Sequence, residues 1–211
     1  QIPNKVDGED YVAYIFAGGD STSDSAVSFD GTGDYLSIAS SSDFTFGTGD
    51  FTLECWINPL SCSQDVGIPD PRAAGKIYHN GKEVASVTDN NNYIQSSMAY
   101  GWHAYQGATF NGKISNVRVT KGQALYTTHF SVPLDPFTQE SQNALSDNVK
   151  LLCCNGSTTT ASTVTPGTIT ANGDVSVTTN NSIFTDTSGN IFGKGGDEGV
   201  VKCGNFIGNG S

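Results

Sequence analysis

The chain has 211 residues, a formal net charge of −11 at pH 7, 25 glycines and only 15% charged residues. This length allows one substantial core with partial flanking units. Nucleic acid is excluded as an expected partner, because phosphate binding needs clustered Lys and Arg and the ten basic residues are scattered. Abundant turn-forming residues and the lack of a long run with helical apolar periodicity predict an all-β protein.

The first predicted strand is the apolar run of residues 11–17, YVAYIFA, in a leading segment of the chain. It is apolar on both faces, so it needs cover from two sides. It is also the longest apolar run, and it is far shorter than the ~20 residues that span a bilayer. We therefore expect no membrane insertion.

Residues 27–59 predict two hairpin units. Val27 and Phe29 alternate with polar neighbours, as in a half-buried strand. The glycines of residues 30–34, DGTGD, allow a tight reversal before the next extended run. From residue 51 the period of two predicts a strand with two distinct faces, one made of Phe51, Leu53, Cys55 and Ile57 and the other of Thr52, Glu54, Trp56 and Asn58.

Further strands are predicted along the next hundred residues. Residues 78–84 form a hairpin through an Asn-Gly turn, and residues 100–105 form an aromatic-rich strand. In residues 110–120, Ile114 is out of step with Val117 and Val119, which indicates a bulge. A turn-rich cover segment, 125–136, and one more core strand, 148–154, follow. The Ser/Thr-rich residues 157–182 read as a loose β-arm or spacer.

Five cysteines occur, and their odd number without a CxxC pair argues against a disulfide framework or a zinc site. Cys55 lies on the apolar face of its strand and is predicted to be a buried free thiol. Cys153 and Cys154 are adjacent in a strand. We therefore expect them to point to opposite faces, one buried and one exposed.

Four motifs together resemble a known family. FDGTGDYLSI, DFTFGTGDFTLECWINP, NGKEVAS and TFNGKISNVRVTKGQALYTTHFSVP occur in the order found in laminin-G-like (concanavalin A-like) domains, over about half of the chain. The last motif and NVKLLCC also resemble modules in tail-fibre and structural proteins of marine, especially cyanobacterial, tailed bacteriophages. The resemblance implies an antiparallel jelly-roll sandwich with extra flanking strands.

The resemblance also implies a division of the chain. Residues 1–25 resemble the end of a preceding module, 26–154 the jelly roll itself, and 189–211 the start of a following module, with 155–188 as the β-arm or spacer. One departure concerns the stretch after Pro59, where relatives have several strands before the NGKEVAS-like hairpin. Either this module is trimmed, or part of the natural chain is absent from the sequence.

Catalysis is not predicted. Glycosidases of jelly-roll architecture place two carboxylates on one strand face, because an acid and a nucleophile must flank one bond. Glu54 stands alone on its strand. The histidines His79, His103 and His129 have no G-x-S-x-G elbow nearby.

Two kinds of binding site are candidates. Asp30 and Asp34 lie in a predicted loop, and calcium takes oxygen ligands from such loops. Many laminin-G-like domains hold calcium, although Asp-Gly is also ordinary turn chemistry. A structural Ca²⁺ is therefore the one cofactor considered.

Sugar binding would use aromatic side chains as stacking platforms, and the candidates are Tyr100, Trp102, His103 and Tyr105. Alternation in a strand places Tyr100 and Trp102 on one face and His103 and Tyr105 on the other. One of these two faces is expected to belong to the core.

These observations predict a non-catalytic bacteriophage virion protein, a tail fibre or a capsid or tail decoration, that presents a jelly-roll module for attachment to a host surface or glycan. The expected partners are other virion subunits, in a homo-oligomer or fibre, and the expected location is the virion. The alternatives are a secreted or surface bacterial adhesin and the non-catalytic module of a carbohydrate-active enzyme. The strands near the two ends of the chain suggest head-to-tail assembly by strand addition.

Overall fold

A computed structural model of the protein describes residues 25–60, 75–86, 92–94, 96–103, 108–133 and 135–178. The expected strands near residues 11–17 and within 189–211, and the stretch between residues 61 and 74, lie outside this part of the chain. Within the described ranges the protein is all-β, and its helices are single 3-10 turns at Ser42–Phe44, Ser141–Asn143 and Ser146–Asn148. None of these short turns approaches the length or apolar character of a membrane-crossing helix.

Thirteen strands make up the described fold. In chain order they are β1 (Ala26–Asp30), β2 (Tyr35–Ile38), β3 (Phe51–Pro59), β4 (Lys76–His79), β5 (Lys82–Ser86), β6 (Met98–Tyr100), β7 (Trp102–His103), β8 (Ala108–Thr109), β9 (Asn111–Lys121), β10 (Val149–Cys153), β11 (Ser162–Val164), β12 (Ile169–Asn172) and β13 (Ser176–Thr178). Every pairing between them is antiparallel.

The larger sheet is built around β9. Strand β3 pairs with β9 from Phe51 opposite Lys121 to Pro59 opposite Gly112. Because β3 occupies one edge of β9 over nearly its whole length, the other edge is shared by β1 along the first part and β10 along the second. Strands β13 and β11 extend the sheet beyond β1 and β10.

The smaller sheet has the order β12-β2-β6. Ile38 of β2 lies opposite Ile169 on one side and Met98 on the other. Two further ladders, β4–β5 and β7–β8, are separate from both sheets.

One hydrophobic core joins the two sheets. It contains Phe29, Val117 and Leu151 from the larger sheet together with Leu36 and Ile169 from the smaller one. Packing of apolar faces from two antiparallel sheets into a single cluster is consistent with a β-sandwich.

A second cluster covers the outer face of the larger sheet. The chain after β9 returns across this face, and its residues Phe137 and Ala144 pack on Val149 and Leu152 with Trp56 alongside. Leu125, from the turn-rich cover segment predicted over residues 125–136, packs against this cluster, whereas Phe137 and Ala144 lie beyond the predicted bounds. These residues fill a second core, because the sheet is apolar on both faces.

Several local predictions are confirmed. Leu53 and Cys55 pack against the main core, whereas Trp56 packs in the second cluster. The bulge predicted within residues 110–120 appears as a register shift in the β3–β9 pairing, because the two steps from Glu54 to Trp56 in β3 lie opposite three steps, Arg118 to Ser115, in β9. Asn116 of β9 lies between Ile114 and Val117 and has a φ of 49°, which interrupts the alternation of the strand. Ile114, Val117 and Val119 therefore all lie in the main core.

The interpretation of residues 155–188 as an arm or spacer differs from the structure over 162–178. Strand β12 pairs with β2, and β11 and β13 are outer strands of the larger sheet. The sandwich therefore extends to at least Thr178. The Ser/Thr-rich composition led to the interpretation as a spacer, but Ser and Thr are also ordinary residues of exposed strands.

The prediction for Cys153 and Cys154 is wrong. Both side chains are buried, and their Sγ atoms are 3.8 Å apart. Cys154 has a φ of 57°, outside the strand conformation, so the alternation of faces ends at Cys153. Cys55, Cys153 and Cys154 are all free thiols.

Candidate functional site

Three carboxylates meet at one end of the sandwich. Asp30 ends β1, Asp34 precedes β2, and Asp174 lies in the turn between β12 and β13. One carboxylate oxygen from each lies within 4.8 Å of the others. This acidic triad joins the two predicted metal-binding residues to a third that the sequence did not indicate.

Asp34 is the centre of the triad. Its side chain is buried, and its two oxygens accept hydrogen bonds from the backbone N–H groups of Asp30 and Asp174, at 3.0 and 2.9 Å. The Asp30 side chain accepts from the N–H of Thr32 at 2.6 Å, which closes the loop between β1 and β2. The same carboxylate therefore fixes the loop and brings the distant β12–β13 turn beside it.

Like charges in contact define the electrostatics of the triad. A hydrogen bond with the Asp34 carboxyl, followed by the negative charges of Asp30 and Asp34, raises the pKa of Asp174. Repulsion of this kind favours a shared proton or a bound cation. The acidic triad can hold a metal ion, and its oxygen-only ligands suit a hard cation such as calcium.

An aromatic pair lies at the same end of the smaller sheet. Tyr35 follows Asp34 directly, and its ring centroid is 5.2 Å from that of Trp102, with the planes tilted by 34°. Trp102 is 39% exposed. Tyr35 alternates with the buried Leu36, so it lies on the outer face of the sheet.

The candidate sugar-binding aromatics are therefore not equivalent. Tyr100 is 1% exposed and packs in the core, with its hydroxyl 3.6 Å from the Met98 sulfur. Burial is the main cause that raises its pKa well above the ordinary value. Tyr105 and the His103 side chain lie outside the described part of the molecule.

The prediction that Tyr100 and Trp102 share one face of a strand is wrong. Gly101 between them has a φ of 88°, and β6 ends before it while β7 begins after it. A Cβ at Gly101 would stand 2.7 Å from the Phe29 ring. The close approach of Phe29 thus requires glycine, and the resulting bend turns Trp102 outward while Tyr100 stays in the core.

The lone carboxylate of β3 forms a buried ion pair. Glu54 Oε1 accepts a hydrogen bond from Nε of Arg118 at 2.7 Å and forms an ion pair with Nη2 at 2.6 Å. Glu54 Oε2 accepts from the Tyr126 hydroxyl at 2.7 Å. Burial raises the pKa of Glu54, and the Arg118 charge and the Tyr126 hydroxyl partly offset this effect. Arg118 also donates to the carbonyl oxygens of Thr138 and Ser141. This arrangement anchors the chain after β9, at Tyr126, Thr138 and Ser141, to the sheet.

The sequence offered only weak signals for Tyr35 and Asp174. Tyr35 follows a predicted metal ligand, but its exposure depends on strand register. Asp174 lies in the segment interpreted as a spacer. No protein-family model, no curated protein and no solved structure matches the chain. The geometry of this end of the sandwich therefore supplies the structural support for a function.

Proposed function

We propose that the chain is a non-catalytic, laminin-G-like jelly-roll module of a bacteriophage virion protein, in a tail fibre or a capsid or tail decoration. Its function is attachment to a host surface or a surface glycan. The observation that carries the proposal is the juxtaposition of the acidic triad and the exposed Trp102 at one end of the sandwich. Loops at the end of a rigid β-sandwich commonly carry binding residues. The order of the four family motifs adds support.

Calcium at the acidic triad is part of the proposal. Asp30, Asp34 and Asp174 would hold the ion, which would neutralise their mutual repulsion and fasten the β1–β2 loop to the β12–β13 turn. Binding to the folded state raises thermal stability by mass action. Because Asp174 has a raised pKa, protons compete there, and calcium affinity should fall as the pH decreases towards that pKa.

The calcium test uses thermal unfolding and calorimetric titration of the full chain with CaCl₂. Asp174→Asn is the test variant because Asp174 is exposed and its backbone N–H, which bonds Asp34, is retained. Asp147→Asn, in the 3-10 turn before β10, is the matched control. Calcium should raise Tm for the wild type and the control but not for Asp174→Asn. Equal shifts in all three proteins would contradict the site.

Attachment itself is tested with whole cells. A single module is expected to bind weakly, so the chain is displayed as a tetramer to gain avidity. The fluorescent tetramer should label marine cyanobacterial cells and not an unrelated bacterium. Failure to label any cell in a broad panel, with or without calcium, would refute the attachment function.

The predicted assembly with other virion subunits has its own test. Wild-type chain and a variant lacking residues 1–18 are compared by light scattering after size-exclusion chromatography. Assembly by strand addition predicts polymers of the wild type and monomers of the variant. Polymers in both samples would contradict strand addition at that segment.

A further inference from the structure

The outer face of the smaller sheet carries small polar side chains beside the aromatic pair. Ser37 of β2 lies opposite Thr170 of β12 and opposite Ala99 of β6. Directly cross-strand residues project from the same face, so these three side chains share the outer face with Tyr35. Ser37 and Ala99 are half-buried and Thr170 is exposed. The face therefore carries small side chains, two of which have hydroxyl groups that can form hydrogen bonds.

Asn172 fixes the boundary between the polar face and the aromatic pair. It lies opposite Tyr35 in the sheet, and its Nδ2 donates to the Ser37 hydroxyl oxygen at 3.1 Å and to the Thr170 carbonyl oxygen at 3.2 Å. These bonds hold the amide across the outer face of the two strands. Because the Ser37 oxygen accepts from Asn172, the Ser37 hydroxyl hydrogen remains available to an external acceptor.

We propose that this surface, formed by Tyr35, Ser37, Trp102, Thr170 and Asn172, is a binding site for neutral carbohydrate. A pyranose ring presents a C–H face that packs on an aromatic ring, and hydroxyl groups at its rim that exchange hydrogen bonds with Ser, Thr and Asn. The tilted Trp102–Tyr35 pair supplies the aromatic surface, and the polar side chains of Ser37, Thr170 and Asn172 supply the hydrogen-bonding groups. This inference rests on the proposed attachment function and specifies the ligand.

Charge decides which carbohydrates fit. The acidic triad lies at the same end of the sheet, because Asp34 precedes Tyr35 and Asp174 is two residues beyond Asn172. The whole chain carries a formal net charge of −11, and a Ca²⁺ ion at the triad would still leave −11 + 2 = −9. Sialylated, sulfated and phosphorylated glycans are therefore repelled, whereas uncharged hexose chains are not.

The test is a glycan array that presents neutral hexose oligosaccharides and their sulfated or sialylated counterparts, probed with the tetrameric chain. Neutral glycans should bind. Trp102→Ala should lower their affinity about tenfold, the value of one aromatic stacking contact. Leu145→Ala, which removes an exposed apolar side chain just before the 3-10 turn that precedes β10, is the control and should bind normally.

A second variant and a spectroscopic measurement guard against misfolding. Thr170→Arg adds bulk to an exposed position and should block the face while leaving Tm unchanged. The chain has two tryptophans, so a Trp56→Phe background leaves Trp102 as the fluorescent reporter. Its emission should shift on titration with a bound neutral oligosaccharide.

The outcomes separate this inference from the attachment function. Binding that survives both Trp102→Ala and Thr170→Arg would overturn the site, and preference for anionic glycans would overturn the assigned ligand. Labelling of cells without binding to any glycan would overturn the carbohydrate inference while attachment stands. Absence of both would overturn both.

Discussion

Replacing Glu54 by alanine is expected to destabilise the fold by about 3 kcal/mol or more, because it leaves a buried cation without its counter-ion. The side chain of Arg118 is 0% exposed and that of Glu54 is 10% exposed. The substitution removes a charge-assisted hydrogen bond and an ion-pair contact from Arg118, and it removes the acceptor of the Tyr126 hydroxyl. Neutral acceptors on Thr138 and Ser141 remain, which keeps the expected cost near the lower end of the usual 3–5 kcal/mol range.

The exposed pair Lys76–Glu83 is the matched control. Its Nζ–Oε2 distance is 3.0 Å, but both side chains are accessible to water. Glu83→Ala should therefore cost no more than about 1 kcal/mol. The double variant Glu54→Leu/Arg118→Met removes both buried charges. It should cost clearly less than the sum of its two single variants.

The assay is urea denaturation followed by tryptophan fluorescence. Trp56 lies 6.3 Å from the Phe137 ring between centroids, so its emission reports on the second cluster that the ion pair anchors. Proteolysis within residues 138–142 should accelerate in Glu54→Ala. If Glu54→Ala and Glu83→Ala had equal costs, the argument that burial gives the Arg118–Glu54 pair its importance would be refuted.

Two further predictions concern thiols and a turn. Burial raises the pKa of Cys55 from 9.0 to about 12, so between these pH values the thiol ionises in the unfolded chain only. Its contribution to stability is present below pH 9.0 and falls by about 1.4 kcal/mol per pH unit above it. In urea titrations, Cys55→Ala should therefore lose less free energy of unfolding above pH 9.0 than the wild type. An identical loss in the two proteins would contradict this assignment. Gly81→Ala should lower the free energy of unfolding more than Gly33→Ala, although the two glycines have nearly equal φ values of 75° and 76°. A Cβ at Gly81 would overlap the Phe130 carbonyl oxygen, whereas a Cβ at Gly33 would have no atom within 4 Å. Equal changes in the free energy of unfolding would show that the β4–β5 turn does not pack on Phe130 in solution.

Local pattern was enough to predict much of the fold. The strand at residues 51–59 and its two faces, the Asn-Gly hairpin and the bulge in β9 all follow from alternation and turn chemistry within a few residues. The same reasoning failed where one residue leaves the extended conformation. Gly101 separates Tyr100 from Trp102, and Cys154 turns its thiol into the core beside Cys153, although strict alternation predicted otherwise.

The candidate site was predictable only in part. Asp30 and Asp34 lie four residues apart, so their proximity follows from one loop. Trp102 was a candidate by residue type, but its partner Tyr35 is fixed by the pairing of β2 with β6. The Ser/Thr-rich composition around β12 concealed the strand that carries Thr170 and Asn172.

The sequence by itself determined an acidic, turn-rich, all-β chain, together with the faces of its longer strands, because side-chain alternation is a local property of the backbone. Tertiary structure alone decided which distant residues meet. Asp174 is 140 residues from Asp34 in the chain, and no local pattern encodes that contact. It arises because β12 pairs with β2 and β13 pairs with β1, which places the turn between them beside the loop that carries Asp30 and Asp34.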